Sequence, residues 1–381
     1  MVEATKQELL NENIQKINGE ERDLNTEDMA EKCLLSAVSS NNFQEVLNVF
    51  AGNSVNINCV DENGMSPLSH ACFKGNTKLA EFLLDRGANV NQNDHEYRYT
   101  ALMFAALGGH TDCVKLLLDN GAKTDLKNSV GRNAAQMAGF VGQHRPVAAI
   151  NNHIPKKMIE YYAKLNGTET EPKLPHRLCL PIHQLVQLVN IHPIRIFYFL
   201  NSNTTLLDDS SLKKVTMVLD LLSEKLFKLN ESQEMLSIKV HCISFTLEYI
   251  LKQRQCKHND NSWSSIIERS IKFILKLNDS GFPENLERFL RDSIRTYSYP
   301  ENTIFIQLVR SLSTVQIGDE PNCMTILQQT IGGKSDEGII CSTCSEFDPK
   351  KRCSRCKNSN YCNESCQKYH WSIHKKQCSK S

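Results

Sequence analysis

No stretch of this 381-residue chain approaches the roughly 18 uninterrupted apolar residues of a membrane-spanning helix, so direct membrane insertion is excluded. The chain also lacks an excess of charge of either sign: 44 Lys and Arg stand against 43 Asp and Glu, a net charge of +1. A chain so balanced is not built as a whole around nucleic acid or anionic lipid. Its opening, Met1-Val2-Glu3-Ala4-Thr5-Lys6-Gln7, lacks the basic-then-apolar layout of a secretory signal. Val2 stands where myristoylation needs a glycine. These absences predict a cytoplasmic, reducing setting.

Hydrophobic residues make up 40% and charged residues 23%, ordinary globular usage. The length predicts about two to four domains. Cysteine is unevenly distributed. Of 15, seven fall between Cys341 and Cys378, and eight are scattered (Cys33, Cys59, Cys72, Cys113, Cys179, Cys242, Cys256, Cys323). Disulfides do not persist in a reducing compartment, so the dense group reads as metal binding. The scattered eight are expected to be small buried hydrophobes.

Residues 1–28 are polar, and a loosely docked helix is expected at most. Beyond them the chain repeats. Ser66-Pro67-Leu68-Ser69-His70-Ala71 returns 34 residues later as Thr100-Ala101-Leu102-Met103-Phe104-Ala105, and Gly87-Ala88 returns as Gly121-Ala122. Degenerate copies start near Met29 and at Asn133. Ser66 or Thr100 can cap a helix through its hydroxyl, and Pro67 fits a first helical position, where no N–H is needed. Ala71, Ala105 and Ala106 allow close helix packing. Glycine turns (Gly75-Asn76, Gly109-His110) end the first helix, a Leu-rich second helix follows, and Gly87 or Gly121 admits a left-handed residue before an extended stretch such as Asn89-Val90-Asn91. Each unit leaves apolar faces that only a neighbouring unit covers, so the units stack. The pattern resembles the ankyrin repeat over about residues 29–150, in three to four units, with one residue inserted near Tyr97-Arg98-Tyr99. The resemblance implies a protein-binding surface of unknown cargo.

Residues 151–335 show apolar positions at helical spacing, such as Val215, Val218, Leu219 and Leu222, or Ile266, Ile267, Ile271 and Ile274, punctuated by prolines. A bundle of five to seven helices is predicted. His183 and His192 share no metal spacing and read as structural. Ile331 to Gly338 reads as a linker. Its Gly332-Gly333-Lys334-Ser335 lacks the first glycine and the preceding strand of a phosphate loop.

Residues 336–381 carry the strongest signal: Cys341-x2-Cys344-x8-Cys353-x2-Cys356-x5-Cys362-x3-Cys366-x7-His374-x3-Cys378. Seven thiolates and one imidazole make two tetrahedral Zn²⁺ sites. The two-residue gaps predict knuckles. The three-residue gaps predict ligand pairs on one face of short helices. No coordination position stays open, so two structural Zn²⁺ are expected. From residue 341 onward nine Lys and Arg face three acids, and thiolates and metals together leave about +3. That is a weak footprint for nucleic acid. Cys378-Ser379-Lys380-Ser381 has the outline of a prenylation signal, but its middle residues are not aliphatic and the metal needs Cys378.

This tail resembles the MYND-type zinc finger at every ligand and at Tyr361, Gln367 and Trp371. The resemblance implies an interleaved arrangement. Cys341, Cys344, Cys362 and Cys366 would hold one zinc, and Cys353, Cys356, His374 and Cys378 the other. It also implies that Gln367 and Trp371 bind short, often proline-containing peptides. His370 reads as a bystander, since His374 already completes the ligand count. A RING-like finger fits the closing pairs poorly. MYND fingers also accompany SET methyltransferases, but the helical middle has neither a Gly-rich donor loop nor a tyrosine-rich strand, so no enzyme is expected. The whole, a mainly α chain with an ankyrin solenoid, a helical middle domain and a terminal two-zinc finger, resembles the ankyrin-repeat and MYND-domain-containing protein family. That family implies a cytoplasmic adaptor delivering membrane signalling proteins, such as nucleotide cyclases, to cilia, with a prolyl-isomerase-type co-chaperone as partner. A nuclear corepressor-type adaptor recruiting partners through the finger is the alternative.

Overall fold

The structure is a computed structural model describing residues 28–52, 55–165, 167, 170–229, 233–256, 262–332, 339–347 and 349–378. The expected N-terminal polar helix lies outside them. The chain divides into two compact units, Met1–Asn151 and Asn152–Ser381. Among the described residues no helix is long and apolar enough to cross a membrane.

The first unit is built of helix pairs: α1 (28–39) with α2 (Phe43–Gly52), α3 (Pro67–Phe73) with α4 (Thr77–Asp85), α5 (Ala101–Leu107) with α6 (Thr111–Asp119), and α7 (Ala134–Phe140) with α8 (His144–Asn151). One polar side chain starts each repeated first helix. Ser66, Thr100 and Asn133 accept the N–H three residues on, at 3.2, 3.3 and 2.9 Å. Gly75 ends α3 with φ +74, and a Cβ there would lie 2.4 Å from the His110 ring of the next repeat, so both backbone and neighbour require glycine. Ala71, Ala105 and Ala106 are fully buried, as close packing demands.

The expected extended stretch at Asn89-Val90-Asn91 is instead coil and turn. Asparagines hold it: Asn58 Oδ1 accepts from Asn89 N at 2.7 Å, and one repeat later Asn91 Oδ1 accepts from Lys123 N at 2.8 Å. These side chains satisfy the backbone donors that a strand partner would have taken. At the insertion Arg98 takes φ +56, and Tyr97 is half exposed. Two of the scattered cysteines, Cys33 and Cys256, are exposed, contrary to expectation, Cys33 on the outward side of α1 and Cys256 just past the end of the helix Glu234–Gln255; the other six are buried.

The second unit holds α9 (Lys156–Glu160), α10 (Cys179–Val186), α11 (Pro193–Ser202), α12 (Asp209–Leu229), α13 (Glu234–Gln255), α14 (Trp263–Ile274), α15 (Glu284–Arg295), α16 (Thr303–Ser313), α17 (Cys323–Gly332), the short strands β1 (Lys351–Arg352) and β2 (Asn360–Tyr361), and α18 (Glu364–Gln377). Before β1 there are nine α-helices among the described residues, more than the five to seven expected. The prolines explain the difference. Pro193 occupies the first turn of α11, where its missing N–H costs nothing, so it starts a helix that the pattern reads as a break. Ile331 and Gly332 belong to α17 and not to the linker: Ile331 is buried and its carbonyl accepts from Asn152 Nδ2 at 3.2 Å. The rest of the linker, 333–338, lies outside the described residues.

The long helices α12 and α13 form an antiparallel hairpin. Ser223 pairs with Ser237 at 3.1 Å, and Ser244 Oγ donates to Asp220 Oδ1 at 2.7 Å. Much of α13 is buried, as a central helix must be. His183 Nε2 donates to the Ile154 carbonyl at 3.0 Å, and His192 Nδ1 caps α11 by accepting from Ile194 N at 3.2 Å. Both histidines are structural. One continuous apolar core runs through these helices into the cysteine-rich tail.

Candidate metal centre

Two knuckles of matching geometry begin the tail. In the first, Ser345 N returns to the Cys341 carbonyl at 3.0 Å; in the second, Lys357 N returns to the Cys353 carbonyl at 3.0 Å. Ser345 and Lys357 both take positive φ, +53 and +55. The tight return points both sulfurs of a knuckle the same way. No glycine marks either turn, so this strain was not visible in the sequence.

Strand β1 pairs antiparallel with β2, Lys351 opposite Tyr361 and Arg352 opposite Asn360. The pairing interleaves the donors. β1 runs into Cys353, and β2 runs into Cys362. The Asn363 side chain then accepts from Cys366 N at 3.0 Å and caps α18. Cys362 therefore precedes the helix, and Cys362 and Cys366 are not on successive helical turns as expected. Instead of several short helices there is one of 14 residues, with Cys366 in its first turn, His374 two turns on, and Cys378 just beyond its end.

The Sγ atoms of Cys341, Cys344, Cys362 and Cys366 lie within 4.8 Å of one another, and so do the donor atoms of Cys353, Cys356, His374 and Cys378. All but the half-buried Cys362 are buried. Zn–S bonds of about 2.3 Å in a tetrahedron place neighbouring sulfurs about 3.8 Å apart. The distances from Cys344 to Cys362 and Cys366 are 3.6 and 3.8 Å, and Cys353 to Cys378 is 3.8 Å. His374 Nε2 stands 3.3 Å from both Cys353 and Cys356. The donor chemistry agrees. Hydrogen bonding to Cys344 and Cys366 pulls the Cys341 thiol far down, while hydrogen bonding to Cys341 and Cys366, with burial, pushes Cys344 far up. Only a cation can hold all four as thiolates. Donor type, spacing and burial thus fit two zinc ions.

Supporting contacts that spacing could not reveal surround the donors. Ser359 Oγ lies 3.2 Å from His374 Nδ1 and orients the ring with Nε2 toward the sulfurs. Thr343 Oγ1 donates to the Cys366 carbonyl at 2.8 Å. Tyr361 is fully buried, and its hydroxyl meets His370 Nδ1 at 3.0 Å. His370 stands outside both donor clusters but holds Tyr361. Trp371 is 41% exposed on α18, and Gln367 sits half-buried one turn before it. Cys378, read above as unavailable for prenylation, is buried in the second cluster.

Comparison with known proteins agrees with this construction. Residues 7–138 match the family described as Ankyrin repeats (3 copies), and residues 341–378 match the MYND finger. The MYND finger is a zinc-binding domain, and the two clusters are consistent with two zinc ions. Both modules mediate protein–protein interaction. The chain is 32% identical to Dauer abnormal formation protein 25 of Caenorhabditis elegans over 328 residues, 84% of this chain and 83% of the relative. It is also 34% identical over 59 residues to the Putative ankyrin repeat protein FPV219 of Fowlpox virus (strain NVSL), 15% of this chain and 14% of that protein. With ankyrin repeats at one end, a MYND finger at the other and a relative matched along most of both lengths, the chain belongs to the ankyrin-repeat and MYND-domain-containing protein family.

Proposed function

We propose that this chain is a non-catalytic adaptor that assists delivery of membrane signalling proteins, such as nucleotide cyclases, to cilia. The observation that carries the reading is the presence of two interaction modules in one chain, 84% of which matches the relative named Dauer abnormal formation protein 25. In this reading Cys341, Cys344, Cys362 and Cys366 hold one zinc, and Cys353, Cys356, His374 and Cys378 hold the other. Each metal has four protein donors, so zinc supplies shape and no reaction. Gln367 and Trp371 form the peptide-binding surface of the finger, the ankyrin stack takes the cargo, and a prolyl-isomerase-type co-chaperone is a further partner. Two surfaces on one chain hold two partners at high effective concentration. The working place is the cytoplasm, reaching the ciliary base.

Proximity labelling in ciliated cells tests this, comparing the full chain with Trp371→Ala. The expected outcome is labelling of membrane cyclases and ciliary-base proteins, with finger-dependent partners lost in the variant while its zinc content stays at two. Labelling confined to nuclear chromatin proteins would replace the trafficking role with corepression.

A further inference from the structure

A cavity of about 330 Å³ lies within the second unit, where the first knuckle and α18 meet α14, α15 and α17. That volume falls at the lower end of the range for small-molecule sites. Its walls are mainly apolar. Leu275 comes from the end of α14, Phe282 and Leu286 from around the start of α15, Met324 from α17, Ile340 from before the first knuckle and Ile373 from α18. Ile340 is exposed, so the cavity reaches the surface there.

Three nitrogen groups on this lining have no hydrogen-bond partner among the described residues. His192 is 2% exposed. Its Nδ1 accepts from Ile194 N at 3.2 Å, which leaves the ring's N–H on Nε2 with nothing to donate to. The Tyr361 hydroxyl meets His370 Nδ1 at 3.0 Å; donating there, it leaves the N–H of that ring on Nε2 as well. The Gln328 amide is the third. A buried N–H without an acceptor costs free energy that a bound acceptor would recover.

Charge narrows the class of ligand. Among the described residues no lysine or arginine lines the cavity, so an anion would find no counter-charge. The carboxylate present, Glu287, is already taken: Oε1 accepts from Arg291 Nε at 2.8 Å and Oε2 from Cys323 N at 3.0 Å. A cation would therefore meet imidazole N–H groups and apolar carbon in place of a free carboxylate. Donors on an apolar wall suit an uncharged acceptor.

We propose that this cavity binds a small uncharged molecule with an apolar body and a carbonyl oxygen. The oxygen accepts from the N–H groups on the lining, with His192 as the buried anchor, and the body lies against Leu275, Phe282, Met324 and Ile373. This site is separate from the peptide surface of the finger and does not depend on the adaptor reading.

The test titrates 2-octanone, octanoate and octylammonium into the full zinc-loaded chain and follows each ligand by saturation-transfer NMR. The ketone is expected to bind at least about tenfold more tightly than either ion, because each ion must shed its water onto a wall without a counter-charge. Intermolecular NOEs from the ketone to the methyl groups of Met324 and Ile373 should locate it. Gln328→Glu, which replaces a donor amide with a carboxylate, should weaken the ketone with two zinc ions retained; the NOEs in the wild-type chain decide the matter even if that variant folds poorly. Tighter binding of octanoate or octylammonium overturns the uncharged class. Binding of none of the three, or NOEs to methyl groups elsewhere, overturns the site. Neither failure touches the adaptor reading, which proximity labelling judges.

Discussion

Asn190 donates its Nδ2 to the main-chain carbonyl of Cys344 at 2.9 Å, across 154 positions of sequence. The same side chain accepts from His192 N at 2.9 Å, and Arg195 Nε meets Glu346 nearby at 3.0 Å. The first zinc knuckle is thus held by the turn that opens α11. Asn190→Ala should lower the stability of the 152–381 unit by about 1 kcal/mol. Amide exchange at residues 341–346 should quicken, read by mass spectrometry. Unchanged exchange would mean that the knuckle stands without this bond.

Metal removal has a built-in reporter, because both tryptophans, Trp263 and Trp371, lie in the second unit. Structural zinc contributes on the order of 10–16 kcal/mol per site in finger peptides. Chelation under reducing conditions should shift the tryptophan-reported unfolding transition sharply downward. Elemental analysis should return two zinc ions per chain, and acidification should release them as thiolates and imidazole take up protons. A stoichiometry of one or none sinks the assignment of the eight donors.

Lys239 is fully buried in α13, and its Nζ has no hydrogen-bond partner. Burial lowers its pKa from 10.5 to about 7. Between those values the unfolded chain binds a proton that the folded chain does not, so stability rises with pH across the window. Lys239→Met should therefore stabilise the second unit near neutral pH, by about 2 kcal/mol. The advantage should shrink as the pH climbs toward the ordinary lysine value. Denaturant titrations over a pH series check it; a gain constant with pH would trace to packing instead.

In the ankyrin unit, Asp61 accepts from Asn63 N at 2.9 Å and Met65 N at 2.8 Å, and its other oxygen meets His70 Nε2 at 2.8 Å. Burial works to raise this carboxyl, but the bonds from Met65, His70 and Asn63 outweigh it and hold it below 3.8. The stabilisation is present above that ordinary value and is lost as pH falls through the lower folded one. Asp61→Asn should cost about 1–2 kcal/mol near neutral pH. The difference from wild type should close in acid, as thermal melts of both would record.

Local chemistry is legible in the sequence alone. The caps at Ser66 and Thr100 depend only on residues within one turn, so their 34-residue spacing announces the repeat. The eight donors were equally plain as residue types, though their grouping came from family resemblance and not from spacing. Where the reading failed, the cause lay outside the local window. Cys362 falls off α18 because Asn363 caps the helix one residue later. His192-Pro193 reads as a break yet opens a helix, because the buried imidazole supplies the capping acceptor. Asn190 carried no signal at all, since its partner is a backbone carbonyl that only the tertiary fold brings near.

Interleaving also imposes an order on biosynthesis. The two knuckles leave the ribosome before the rest of the finger, and in the grouping proposed above their four sulfurs serve different metals. An ion captured by that early quartet would sit in a site the finished finger does not contain. Correct ligation must then wait for Cys362 and Cys366, and afterwards His374 and Cys378, to compete the ion away. On that grouping the nascent finger is expected to pass through a period of exchangeable zinc, when scarcity of the metal or a burst of oxidant would strike it hardest.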